Sequence, residues 1–136
     1  MDAPRPYLPS PERVARIIAR NLEDVGLPVD VAVLPWDEFR RRASAGEHDL
    51  CLLGWIGDNG DPDNFLYVLL DRDSATPPDA QNVALYDSAE LHGLLVYARE
   101  STDRAGRERY YRRAQEIIEA DAPWVPLAHA ELVVAT

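Results

Sequence analysis

Leu50-Cys51-Leu52-Leu53-Gly54-Trp55-Ile56-Gly57-Asp58-Asn59-Gly60-Asp61-Pro62-Asp63-Asn64-Phe65 is the stretch on which the reading of the fold turns. It opens on a short continuous apolar run, residues 50–55, the pattern of a strand covered on both faces. Glycines, aspartates and a proline follow at once. Asp58 stands directly past the end of that run, and in open α/β sheets ligands bind in the crevice beyond the strand carboxyl ends. A carboxylate there, on a glycine turn that lets a ligand approach the backbone, suits a cation or an ammonium group. Asp58, Asn59 and Asp61 read equally as turn formers, and Asp61-Pro62 as a helix start with Asp61 as cap. Local pattern leaves both readings open.

Upstream, Ser10-Pro11-Glu12 opens a helix with Ser10 as N-cap and Pro11 at the first position. Val14, Ile17, Ile18, Leu22 and Val25 recur at helical spacing, and Gly26 and Pro28 end the run. Residues 29–34 place β-branched side chains at alternate positions and predict a strand. Trp36-Asp37 opens a second helix, with Asp37 as cap, Phe39 and Ala43 on its face and Gly46 as its stop. Strand, helix and strand in this order predict a parallel βαβ unit.

Downstream, a helix runs through Phe65 and Leu70, and residues 71–82 read as a polar surface loop containing Pro77-Pro78. Two more helices follow over 88–99 and 103–120. The second carries Tyr110, Tyr111, Ala114, Ile117 and Ile118 on one face. Residues 126–134 read as a final strand. The expected class is therefore α/β: a parallel βαβ core with C-terminal helices and a last strand, over 1–136 as one domain. Residues 1–10, rich in proline, form an extended leading segment. Three strands give a thin sheet, so the chain resembles part of a larger fold.

The chain has 136 residues, of which 46% are hydrophobic and 28% charged, with a formal net charge of −10. That charge repels phosphate backbones and argues against nucleic acid and anionic membrane as partners. All 14 basic residues are Arg, so lysine chemistry, Schiff base or P-loop, is excluded. Arg40-Arg41-Arg42 reads as a solvated helix face. The single cysteine, Cys51, cannot form an internal disulfide and sits in the apolar run as a small hydrophobe. No apolar stretch is long enough for a membrane span, and the amino terminus carries no signal-peptide pattern.

Enzymatic signatures are missing. His48, His92 and His129 show no metal-ligand spacing, and His129 between two alanines reads as a core histidine. The calcium-loop template would place Asp58, Gly60 and Pro62 at ligand offsets, two of which have no ligating side chain. A nucleophile elbow is missing too. Neither a cofactor nor a metal is expected, and the chain is read as a non-enzyme. Arg5 and Tyr7 offer a guanidinium fork for a carboxylate and an amphipathic wall, although a mobile terminus explains them equally.

Four blocks taken in order extend this reading: residues 5–13 (Arg-Pro-Tyr-Leu-Pro-Ser-Pro-Glu-Arg), 46–49 (Gly-Glu-His-Asp), 54–65 and 122–129 (Ala-Pro-Trp-Val-Pro-Leu-Ala-His). Together they resemble the C-terminal lobe of bacterial dipeptide-binding proteins, the extracytoplasmic receptors of ABC-type peptide importers in the peptide/nickel class of solute-binding proteins. The resemblance implies a partial Venus-flytrap lobe of the type II periplasmic-binding fold, with a small peptide as ligand, an ABC permease as partner and a periplasmic location. It further implies that Asp58 pairs with the α-ammonium of the ligand and Arg5 with its carboxylate. Tyr7 would lie beside the ligand, and Gly54 and Trp55 would supply backbone and wall. One carboxylate and one guanidinium at fixed separation select for peptide length and ignore side chains. The sequence departs from the family pattern at Asp71 and Tyr86, which stand where dipeptide receptors carry a cysteine pair, and at Ile56, where a small polar residue is usual. A second expectation, of another class, is a truncated regulatory or interaction module without transport activity. Exposed sheet edges would also let two copies pair.

Overall fold

Helix α1, Pro11–Asp24, begins where Ser10-Pro11 directs it. The Ser10 carbonyl accepts from Val14 N at 3.1 Å, while its side chain makes no capping bond. The helix ends on Gly26 at φ +90°, a left-handed conformation that costs glycine little. There Gly26 N and Leu27 N return to the carbonyls of Glu23 and Leu22 at 2.9 and 3.0 Å. The computed structural model describes residues 8–57 and 59–129. Arg5, Tyr7 and Asp58, and residues 130–134 of the expected final strand, lie outside the described residues.

Helix α2, Trp36–Ser44, has Pro35 rather than Asp37 at its N-cap, two residues earlier than expected. The proline ring presets the turn, and Asp37 and Glu38 fall in the first turn, where they oppose the positive end of the helix dipole. Trp36 and Phe39 stack with ring centroids 5.8 Å apart.

Helix α3, Asp63–Leu70, leads into a 3-10 turn, Arg72–Ser74. Helix α4, Ala89–Glu100, is capped by Ser88 Oγ, which accepts from Leu91 N at 3.2 Å. Asp103 caps helix α5, Arg104–Asp121, by accepting from Ala105 N and Gly106 N at 3.2 and 2.8 Å. Each cap satisfies orphan donors of a helix first turn.

The α3–α5 region holds the core. Leu70, Leu91, Leu95, Ala98, Tyr111, Ala114 and Ile117 are buried together, with Leu66, Leu94, Tyr110, Ile118 and Trp124 packed against them. The apolar face predicted for α5 is the face that meets α4.

The strands expected over 29–34 and 50–55 are not formed among the described residues. Among the described residues there is no β-ladder beyond an isolated bridge at Leu8, and residues 27–35 and 50–57 carry no regular structure. The βαβ core is thus corrected to an irregular segment, α2 and a second irregular segment. Residues 126–129 of the last expected strand are irregular as well. A strand exists only against a partner that takes its N–H and C=O groups, and a covered strand needs layers on both faces. Among the described residues the run at 50–55 has neither: Leu50 is 75% exposed, and Leu53, Trp55 and Ile56 are exposed too.

The expected surface loop at 71–82 is also corrected. Asp71, Ala80 and Asn82 are buried. Asn82 Nδ2 donates to the carbonyls of Asp71 and Tyr86 at 3.1 and 2.9 Å. Ala80 N donates to Ser44 O at 3.2 Å, tying this loop to the end of α2. No helix among the described residues is long and apolar enough to cross a membrane.

Candidate functional site

The aspartate loop is built from short-range contacts. Asn59 Oδ1 accepts from Asp61 N at 3.0 Å, and Asp61 Oδ1 accepts from Asp63 N at 2.9 Å, an Asx arrangement that launches α3. Trp55 Nε1 donates to Asn64 Oδ1 at 3.0 Å, which folds the start of the loop back on the helix that follows it. A Cβ on Gly57 would lie 2.7 Å from Phe65 Cε2, so a larger residue there would displace the Phe65 ring.

Arg107 of α5 holds this loop against the helical unit. Its Nη2 donates to both carboxylate oxygens of Asp61, at 2.6 and 2.8 Å, and to Tyr111 Oη at 3.1 Å, while Nε donates to Ala98 O at 3.0 Å. The hydrogen bond from Arg107, then that from Asp63 N, holds the Asp61 carboxyl below its ordinary range. Arg107 is shifted upward in return, first through Asp61. Asp61, expected as the cap of α3, stands one residue before the N-cap Pro62; it still accepts from Asp63 N and is also the counter-ion of Arg107. Neighbouring Asp63 lies 3.8 Å from Arg99 Nε, and its Oδ1 is buried with no hydrogen-bond partner among the described residues.

Of the predicted site residues, the described structure contains Gly54 and Trp55. Gly54 is half-buried and Trp55 exposes about a third of its surface at the start of the loop, where a wall would stand. Arg5, Tyr7 and Asp58 are outside the described residues, so their approach to Trp55 is not part of this geometry. Cys51 is half-buried, and burial pushes its thiol up, in keeping with an inert side chain. His129, expected in the core, is exposed. A more open groove of about 950 Å³ runs along α1 beside Val29, Asp30 and Val31, and the aspartate loop does not line it.

Sequence reasoning missed Arg107. A signal was present: Arg107, Tyr111, Ala114 and Ile118 share one helical face, and a guanidinium on an apolar stripe calls for a buried acceptor. The polar cluster of Asp71, Asn82 and His92 left no comparable trace, because its members come from separate turns.

Comparison with known proteins places this geometry. Residues 4–76 match the model for the middle region of bacterial extracellular solute-binding proteins, family 5. Di/tripeptide-binding protein 4 of Pseudomonas aeruginosa (strain UCBPP-PA14) is 40% identical over 127 residues, which are 93% of this chain and 24% of that protein. Heme-binding protein A of Haemophilus influenzae is 36% identical over 122 residues, 90% of this chain and 22% of that protein. Among solved structures, the ABC transporter-associated periplasmic binding protein DppA from Helicobacter pylori, in complex with the peptide STSA, superimposes with a TM-score of 0.83 at 38% identity, covering 88% of this chain and 23% of that one. The chain thus spans about a quarter of the length of the relatives it matches.

Proposed function

Starting from the membership of this chain in family 5 of the bacterial extracellular solute-binding proteins, we propose that it supplies part of the peptide-binding lobe of a periplasmic receptor that delivers small peptides to an ABC permease. Asp58 is the counter-ion for the peptide α-ammonium and Arg5 for its carboxylate. Tyr7 lies beside the ligand, and Gly54 and Trp55 provide backbone and wall. Ligand capture is ion pairing at both ends of a zwitterion, with no bond made or broken, so the chain is not an enzyme.

The observation that carries this reading is the loop at 55–65. Trp55 and Asp61 are each held by a specific contact, to Asn64 and Arg107, so the loop is anchored before and after position 58. Preorganisation of that kind lowers the ordering cost of binding. The likeness to a peptide-bound receptor at 38% identity supports the same ligand class. One relative bears the name of a heme-binding protein, so the test must separate ligand classes.

The chain by itself should bind dipeptides weakly or undetectably, because a single portion of a cleft cannot close around a ligand. The decisive experiment transplants residues 1–136 in place of their counterpart in a di/tripeptide-binding relative and follows dipeptide binding by calorimetry. Asp58→Ala in that hybrid should cost about 2–5 kcal/mol, the penalty for leaving a buried ligand charge unpaired. An N-acetylated dipeptide that binds as tightly as the free one would rule out the assignment, as would heme binding by a hybrid that ignores peptides.

A further inference from the structure

Away from the aspartate loop, three potential ligand groups converge beneath α4. Asp71 follows the end of α3, Asp73 lies in the 3-10 turn, and His92 is in the first turns of α4; one donor atom from each lies within 4.8 Å of the others. Asp71 is fully buried. Among the described residues no guanidinium pairs with it: Arg72 turns away to Asp87 at 3.0 Å, and Arg99 lies over the Tyr67 ring at 4.5 Å. Asp71 Oδ1 caps the 3-10 turn by accepting from Asp73 N at 2.9 Å, and the one side chain that faces both carboxylate oxygens among the described residues is His92, through Nδ1 at 3.1 and 3.0 Å.

We propose that Asp71, Asp73 and His92 bind a divalent transition-metal cation of the zinc type, with His92 Nδ1 and one oxygen from each aspartate as ligands. The donor set argues for that class. Imidazole nitrogen with two carboxylates suits zinc and its neighbours, whereas calcium and magnesium prefer oxygen alone. Ligand atoms on a tetrahedral shell at about 2.0–2.1 Å lie about 3.3 Å apart, so the His92–Asp71 spacing needs only a few tenths of an ångström of adjustment. Asp73 is exposed, and rotation of its side chain closes the remaining gap. Tyr67 Oη already donates to Asp73 Oδ2 at 3.0 Å and would orient that ligand from behind. Burial, the bond to Asp73 and the charges of both aspartates push the Tyr67 hydroxyl up, which keeps it a donor. On binding, the Nδ1 position exchanges any proton it carries for the metal, and that proton leaves to solvent.

The test is a titration of the chain with zinc chloride, followed by calorimetry and by the NMR signals of the His92 ring. One saturable site is expected. His92→Ala should lower the affinity by about tenfold or more, since even supporting partners of metal ligands are worth 10–100-fold. His129→Ala and His48→Ala should leave it unchanged, and calcium should not compete. Because His92 is the partner of a buried carboxylate, His92→Ala could unfold the loop; Asp73→Asn, at an exposed position, then decides by the same tenfold loss. The proposal fails if no saturable site appears up to about 1 mM zinc, or if the affinity is the same in His92→Ala. It also fails if Asp73→Asn binds as the parent does. Each would mean that the three side chains form a hydrogen-bonded staple only.

Discussion

Helices α1 and α5 are both amphipathic by sequence, yet they have opposite fates. Helix α5 lays its apolar face on α4 and buries Tyr111, Ala114 and Ile117. Helix α1 buries only Pro11 and Ala19, and Ile17 on its face is half exposed. The same contrast divides the whole molecule. Residues 63–124 form a closed helical unit, while the segments around 25–34 and 50–57 leave Val25, Leu27, Leu50 and Ile56 in solvent. An apolar stripe states what a segment needs; burial follows only when a second stripe lies opposite. The two regions meet at Ala80 N on Ser44 O, at Leu85 against Gly46, and through the aspartate loop pinned by Arg107.

The contrast can be broken most directly in the core. Leu95→Ala, at a fully buried position between α4 and α5, should cost about 2–5 kcal/mol in urea unfolding, whereas Ile17→Ala should cost under about 0.5 kcal/mol. Equal losses at the two sites would mean that α1 is packed in solution as α5 is.

The junction between the regions gives a smaller effect with a pH signature. Arg107→Met should lower stability by about 1–2 kcal/mol, because the pair is half-buried and screened. Its folded Asp61 partner titrates below the ordinary carboxylate range. That contribution is fully present above about pH 4 and is lost as the pH falls through the depressed folded value. Urea midpoints measured from about pH 7 down to about pH 2 should converge for parent and variant at the acid end. Parallel curves would show that Arg107 acts through packing on Tyr111 rather than through Asp61.

The smallest effect belongs to the surface of α1. Glu12→Ala removes an exposed i,i+4 pair with Arg16 at 2.7 Å and should change stability by about 0.2–0.5 kcal/mol, vanishing in high salt. A loss above about 1 kcal/mol would mean that the Glu12 carboxylate has a further role in this open half.

Legibility followed the same division. The starts at Ser10-Pro11, Ser88 and Asp103 and the stop at Gly26 were readable because the groups concerned lie within a few residues of one another. The loop at 54–65 was recognisable from its own residues, and the Asx bonds at Asn59 and Asp61 form as their spacing implies. The strand reading rested on alternation at 29–34 and on a continuous apolar run at 50–55, local patterns that say nothing about what pairs with them. Of the five residues named for the site, Gly54 and Trp55 fall within the described residues; Trp55 lies at the mouth of the loop.

By itself, then, the sequence determined where α1, α4 and α5 begin, where the first helix stops, and which family's motifs the chain carries, the boundaries being written in interactions that span only a few residues. Tertiary structure alone decided that Arg107 reaches Asp61 across 46 positions and that His92 meets Asp71 across 21. It also decided that the apolar run at 50–55 finds no sheet among the described residues. Ion pairs and ladders need two remote segments to meet, and that meeting depends on how helices pack, a property no single segment contains.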